Sequence, residues 1–206
     1  MTRVKICGIT RVDDALTAAQ SGADAIGLVF YPGSPRHVSV SQAAMIMRAL
    51  PPFITSVGLF VNAEEPAINA ILQDLPLALL QFHGEESASF CRQFKRPYLK
   101  VVRVKPSLDL LQYAADYPDA QGLLLDTYVD GLAGGTGQTF DWDLIPAGLP
   151  LPVVLSGGLN PDNVAAAIKH VKPWAVDVSS GVEAAKGIKD AAKIAAFMQG
   201  VKNGNV

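Results

Sequence analysis

Two of the 206 residues are cysteines, and one of them, Cys7, stands where the alternating run VKIC meets a glycine. A thiol placed there packs as a small hydrophobe or, as a thiolate, takes up a proton. A second apolar run, LLLD, closes on Asp126. A half-buried carboxyl with no assured partner holds a proton and can hand it on. Two glycine turns, SGG at 156–158 and SSG at 179–181, each follow an apolar run. Turns of this kind aim backbone amides at an anion, so Gly157, Gly158, Ser180 and Gly181 are candidates for a phosphate cup; tight strand-to-helix turns are the plainer alternative. Arg36, in the loop YPGSPRHVS, can fork onto a carboxylate or stand as a solvated loop charge. His83 follows QF and either meets a ligand or bonds a loop, and Asp177 lies in the last apolar run.

These residues become one site only if the chain places them on one rim. Short apolar, β-branched runs at 4–7, 24–30, 55–61, 77–82, 99–104, 122–126, 152–157 and 175–180 alternate with longer amphipathic stretches. That is eight βα pairs around a parallel sheet, whose strands are apolar because both faces are covered. Helix starts are marked by Thr10, by Ser39 or Ser41, by Asn62 and by Asn160-Pro161, and Gly22 marks a helix end. Eight units in 206 residues predict a compact (β/α)8 barrel; a doubly wound open sheet is the alternative, with fewer strands than this. The whole of 1–206 reads as one domain whose catalytic face lies at the C-terminal ends of the strands. That rim then gathers Cys7, Arg36, Asn62, His83, Arg103, Asp126, 156–158 and 177–181. One of Lys5 and Lys100, both within strands, is expected to point into the barrel and pair with a carboxylate. Cys91, His37 and His170 receive no role. The GGTG at 134–137 reads as a lid or a flexible connection, and no Lys-Ser/Thr follows it to make a P-loop.

Composition removes whole classes of function. Half of the residues are hydrophobic, 17% are charged and the formal net charge is -2, so nothing steers the protein toward nucleic acid or an anionic membrane. Two cysteines make no disulfide framework, and no Cys/His cluster has the spacing of a structural zinc site. No apolar leader and no bilayer-length run is present, so the expectation is a soluble cytoplasmic protein with a small-molecule partner.

The blocks VKICGIT, GLVFYPGSPRHVS, VGLFVN, QFHGEE, LLLDTYVDGLAGGTGQTFDW, LSGGLNPDN and DVSSGVE, in this order across nearly the whole chain, resemble the phosphoribosylanthranilate isomerase family of tryptophan biosynthesis. The resemblance implies a (β/α)8 barrel that carries out an Amadori rearrangement of N-(5'-phosphoribosyl)anthranilate without metal or organic cofactor, as a monomer or homodimer. It implies Cys7 as general base, Asp126 as general acid and Arg36 as the holder of the anthranilate carboxylate. It places the ribose phosphate on the SGG and SSG amides and puts His83 and Asp177 along the substrate site. Ala133 where proline is expected and Phe82 where leucine is common are small departures away from the chemistry. Another phosphosugar barrel of histidine or tryptophan biosynthesis is the alternative enzyme, although those want two aspartates or a strand-borne lysine. A barrel that binds a phosphate ligand without turnover is the non-enzymatic alternative, and the joint presence of Cys7, Asp126 and Arg36 speaks against it.

Overall fold

The computed structural model describes residues 1–127 and 139–206. The GGTG stretch and Ala133 lie outside the described residues. Eight parallel strands close into a barrel in chain order: β1 (Arg3–Ile6), β2 (Ala25–Val29), β3 (Thr55–Phe60), β4 (Leu79–Phe82), β5 (Tyr98–Val104), β6 (Gly122–Thr127), β7 (Val153–Leu155) and β8 (Ala175–Val178). β8 pairs back onto β1 in the register Lys5 to Asp177, which completes the ring. The doubly wound alternative is thereby excluded.

The outer layer is α1 (Val12–Gln20), α2 (Val40–Ala49), α3 (Glu65–Asp74), α4 (Ala88–Arg92), α5 (Leu110–Asp116), α6 (Val164–Val171) and α7 (Ala191–Gly204). Seven of the eight units carry an α-helix among the described residues. After β6 there is instead a short 3-10 turn, Trp142–Leu144, capped by the Asp141 side chain, which accepts from the Asp143 amide. Between β8 and α7 a small antiparallel hairpin intervenes, β9 (Glu183–Ala185) with β10 (Ile188–Lys189).

Strand alternation sorts every residue to one of two layers. On β1, Val4 and Ile6 pack outward with Ala15, Ala18 and Ile46 of the helices, so Lys5 and Cys7 face the lumen. The lumen floor is an apolar plug of Leu99, Val101, Leu124, Val154 and Ala175. Above it, two residues further along their strands, stand Arg103, Asp126, Ser156 and Asp177. Lumen parity thus carries each strand from an apolar floor to a polar rim. The outer layer is fixed where α4 is shortest: Phe82 meets Phe60, Phe90, Phe94 and Tyr98 with ring centroids 5.8–6.3 Å apart.

Helix starts agree in part with the sequence. Ser39 makes a full capping box with Gln42. Thr10 does not cap α1; its hydroxyl donates to the Gly187 carbonyl in the β9–β10 hairpin, and Arg11 holds the N-cap position while its guanidinium pairs with Asp14. Asn62 does not cap α3, which starts behind Glu64; its Oδ1 accepts from the Glu85 amide and ties the β3 loop to the β4 loop. Asn160 closes a turn by accepting from the Asp162 and Asn163 amides, with α6 beginning one residue later. At Thr10, Asn62 and Asn160 a long-range partner or a tighter turn outcompeted the simple cap.

Candidate active site

The rim residues surround a cavity of about 370 Å³ at the C-terminal mouth of the barrel. Cys7, Arg36, His83, Asp126, Gly157, Gly158, Asp177 and Ser180 all line it. Gly181 does not line it; the space a side chain would need there is taken by the Leu159 carbonyl, so this glycine brings the β7 and β8 turns together.

Cys7 lies one residue past the end of β1 and is 6% exposed. Its amide donates to the Val178 carbonyl at 2.8 Å, which fixes it against β8. A methyl group on Gly27 would sit 2.6 Å from Cys7 Sγ, so the glycine of β2 makes the room the sulfur occupies. Burial pushes the Cys7 thiol above its ordinary value, and the Lys5 ammonium two residues back along the same face works against that rise. Lys5 is the inward-pointing lysine: its Nζ donates to Asp177 Oδ1 at 2.9 Å. Burial alone lowers that ammonium, but Asp177 overrides the loss and holds it above its ordinary value. Lys5 is therefore a standing positive charge beneath the thiol. Lys100 faces the helix layer instead, fully buried, and its Nζ donates to Glu86 Oε2 at 2.9 Å and to the Gly84 carbonyl at 2.6 Å. That pair anchors the loop that follows His83 rather than lining the cavity.

Asp126 faces Cys7 from β6, on the other side of the barrel. Its Oδ1 accepts from the Thr127 amide at 2.8 Å, which leaves Oδ2 as the oxygen turned to other groups. His83 Nε2 stands 3.2 Å from that Oδ2, but off the line a hydrogen bond needs, so Nε2 has no partner among the described residues. The other ring nitrogen faces Gln81 Nε2 at 3.3 Å. That contact holds the ring from the Gln81 side and turns the Nε2 edge toward Asp126. Gly157 has φ +81, and a side chain there would strike Thr127 and approach Asp126 Oδ1; only glycine lets the β7 turn lie against the acid.

Gly157 and Gly158 both have positive φ, and no hydrogen bond among the described residues uses either amide. Ser156 is pinned through its own amide to the Leu125 carbonyl, and the Gly158 carbonyl accepts from Asn163 Nδ2. The turn is thus held by its flanks while its amides stay free. Across from it, Ser180 opens a 3-10 turn, Ser180–Val182. Arg103 reaches inward, but its Nη2 donates to the His83 carbonyl, and it does not line the cavity.

Arg36 is the residue whose surroundings differ most from the sequence expectation. Its guanidinium fork is occupied by a protein carboxylate: Nε donates to Glu183 Oε1 at 2.7 Å and Nη2 to Oε2 at 2.8 Å. Glu183, together with Lys189 and Gln81, was missed by sequence reasoning, whereas the strand lysine expected to pair inside the barrel is Lys5, on Asp177. An acid directly after SSGV and a lysine six residues beyond it were visible signals for the first two, and their pairing waits on the hairpin.

The family model for N-(5'-phosphoribosyl)anthranilate isomerase matches residues 4–200. The chain belongs to the N-(5'-phosphoribosyl)anthranilate isomerase family. Its similarity to that family's enzyme from Pseudomonas paraeruginosa is 62% identity over 201 residues, covering 98% of this chain and 95% of the relative. The enzyme of the same name from Nitrosospira multiformis is 61% identical, over 97% of this chain and 96% of its own. Among solved structures, phosphoribosyl anthranilate isomerase from Thermotoga maritima superposes with a TM-score of 0.88 at 45% identity, covering 98% of this chain and 99% of that one. A family structure in complex with reduced 1-(o-carboxyphenylamino)-1-deoxyribulose 5-phosphate superposes at 0.85 with 44% identity, over 98% and 99% of the two chains.

Proposed function

We propose that this family member performs its isomerisation with Cys7 as general base and Asp126 as general acid. The protein is an isomerase of tryptophan biosynthesis: it converts N-(5'-phosphoribosyl)anthranilate into 1-(2-carboxyphenylamino)-1-deoxyribulose 5-phosphate. The observation that carries the assignment of roles is that Cys7 and Asp126, 119 positions apart in the chain, line one cavity from β1 and β6.

The reaction needs a proton given and a proton taken at two different atoms. Asp126, with Oδ1 tied to its own loop, delivers a proton from Oδ2 to the ring oxygen of the furanose. The C1'–O4' bond breaks, the anilino nitrogen's lone pair closes a C=N bond, and a protonated Schiff base results. That cation acidifies the proton on C2', and the Cys7 thiolate removes it, leaving an enolamine. The enolamine loses its 2'-hydroxyl proton and gains one at C1', giving the ketose. Asp126 ends one proton poorer and Cys7 one richer, and exchange with solvent resets both. The Lys5 ammonium favours the thiolate. His83, held by Gln81, stands with Nε2 3.2 Å from Asp126 Oδ2 and lines the site beside the acid.

Binding orients the substrate from both ends. The free amides of Gly157 and Gly158, with Ser180 across the turn, take the ribose phosphate. Gly181 sets that cup by packing rather than by contact. Arg36 takes the anthranilate carboxylate, and Asp177 faces the sugar with the oxygen that Lys5 leaves free. Fixing both ends converts remote binding energy into position at C1' and C2'. No helix among the described residues is long and apolar enough to cross a membrane, and we place the protein in the cytoplasm, as a monomer or homodimer acting on this small molecule alone.

The test is the fluorescence decay of freshly made phosphoribosylanthranilate with the natural chain, Cys7→Ala and Asp126→Asn. Each variant is expected to lose about 10²–10⁴-fold in kcat. A variant that keeps the natural rate is not one of the two proton-transfer residues.

A further inference from the structure

The side of Arg36 that the fork occupies is not the side that a ligand would meet. Nε and one N–H of Nη2 are spent on Glu183, while Nη1 and the second N–H of Nη2 take no partner among the described residues. A guanidinium can bind two carboxylates in its plane, one on each of these edges. Glu183 is 8% exposed and sits behind the cavity, so it acts on one edge and leaves the other for the site.

A lone Arg36–Glu183 pair would be neutral and would offer little field to an incoming anion. The third member changes that. Lys189 Nζ donates to Glu183 Oε1 at 2.9 Å and to the Ser179 carbonyl at 3.0 Å, and lies 3.5 Å from Ser179 Oγ. Every ammonium hydrogen therefore has an acceptor on the protein. Two cations and one anion leave the trio with one net positive charge, and the only N–H groups still open belong to Arg36. The Gly187 amide adds a bond to Glu183 Oε1 at 3.3 Å, and the Lys189 amide donates to Asp14 Oδ2 at 3.0 Å, so the hairpin holding the trio is itself tied to α1. Burial alone raises the Glu183 carboxyl, but the Arg36 hydrogen bond and Lys189 outweigh it and hold it below its usual value. It therefore keeps its charge to lower pH than a free carboxyl does.

We propose that Glu183 and Lys189 are positioning residues that determine selectivity for a carboxylate on the substrate's aromatic ring: Glu183 fixes the Arg36 fork before the ligand arrives, and Lys189 offsets Glu183 so that the fork keeps its charge. Pre-ordering a long arginine side chain removes a conformational cost that each binding event would otherwise bear. The proposal rests on the reading of Arg36 as the carboxylate holder.

The experiment compares two ligands that differ only in the carboxylate, 1-(2-carboxyphenylamino)-1-deoxyribulose 5-phosphate and its analogue with an unsubstituted phenylamino group. Their dissociation constants are measured on the natural protein, Arg36→Met, Glu183→Gln, Lys189→Met and Lys189→Arg. Glu183→Gln and Lys189→Met are each expected to erode the preference for the carboxylated ligand about tenfold, with the analogue's affinity changed by less than about threefold. In turnover the same variants raise KM and leave kcat within about threefold. Lys189→Arg, which keeps the charge, restores the preference. Equal weakening of both ligands, or an unchanged preference, overturns the proposal, and if Glu183→Gln does not fold, the Lys189→Met and Lys189→Arg pair decides alone. A preference that survives Arg36→Met overturns the carboxylate assignment of Arg36 itself. A preference lost in Arg36→Met but kept in the Glu183 and Lys189 variants removes only the positioning role.

Discussion

The two sides of the cavity are built on opposite principles. On the β1–β8 side every charge is paired: Lys5 with Asp177, and Arg36 and Lys189 with Glu183. On the β4–β6 side buried polar atoms stand open, among them Gln81 Oε1, His83 Nε2 and Arg103 Nε. The first arrangement is a fixed field. The second is a set of groups with capacity left for a ligand, a water or a moving proton. Such a division suits a reaction in which a fixed field bears on the base from one side while the groups around the acid on the other side keep capacity to bind and release. It also separates cost from function: the paired side stabilises the fold as well as the chemistry, whereas the open side carries desolvated atoms that contribute little to stability until something binds.

Lys5→Met breaks the contrast most severely. It strands the Asp177 carboxylate inside the lumen, and loss of one partner from a buried pair costs about 3–5 kcal/mol, read as a shifted midpoint in urea unfolding. The same variant removes the charge that works against burial at Cys7, so the rising limb of the kcat/KM profile moves further alkaline. A Lys5→Met protein as stable as the natural one would show that the paired side is not a stabilising frame.

In the natural protein that limb is expected on the alkaline side of an ordinary thiol, near 8.5, because burial raises the Cys7 thiol. Activity therefore climbs through this range as thiolate forms, and Cys7→Ala abolishes the climb along with most of the rate. A natural profile that is flat from pH 7 to 10 removes the thiolate from the mechanism.

Gln81→Leu tests the open side. It deletes the donor that fixes the His83 ring, and kcat is expected to fall on the order of tenfold while stability changes by less than about 1 kcal/mol. A stability loss as large as that of Lys5→Met would erase the distinction between the two sides.

The smallest effect is the acid dependence of Glu183→Gln. The Glu183 carboxyl is held below its usual value in the folded protein, so its stabilising contribution is present above the usual carboxyl range. It is lost as pH falls through the lowered folded value. Replacing it with glutamine flattens that part of the stability–pH curve. An unaltered curve would mean that the trio carries no net stabilisation.

Much of this molecule was legible before any coordinates. The eight apolar runs gave the barrel because covered strands must be apolar and because the spacing leaves room for helices between them. Cys7, Asp126, His83 and the SGG turn were marked by their positions at run ends, Arg36 by its loop and Asp177 by its place in the last run, and all of them line the cavity. Helix caps were less legible. Thr10 and Asn62 have capping side chains, yet each found an acceptor or donor from a segment distant in sequence, and a local rule has no access to that competition. Gly181 was read as a cup residue because a glycine after Ser-Ser looks like an anion turn. The structure adds a packing reason for the same glycine, because the Leu159 carbonyl crosses where a side chain would stand.

Sequence by itself determined the two layers, the eight βα units and most of the residues that line the cavity, since alternation and spacing are properties of a single strand and its neighbours in the chain; closure of the ring waited on β8 meeting β1. Only the tertiary structure decided which charge neutralises which. Lys5 meets Asp177 because barrel closure sets β1 against β8 in one register, and Arg36 meets Glu183 because the hairpin after β8 folds back over the β2 loop. Pairing energy depends on distance and burial, and both are fixed only when segments 147 to 172 residues apart come into contact.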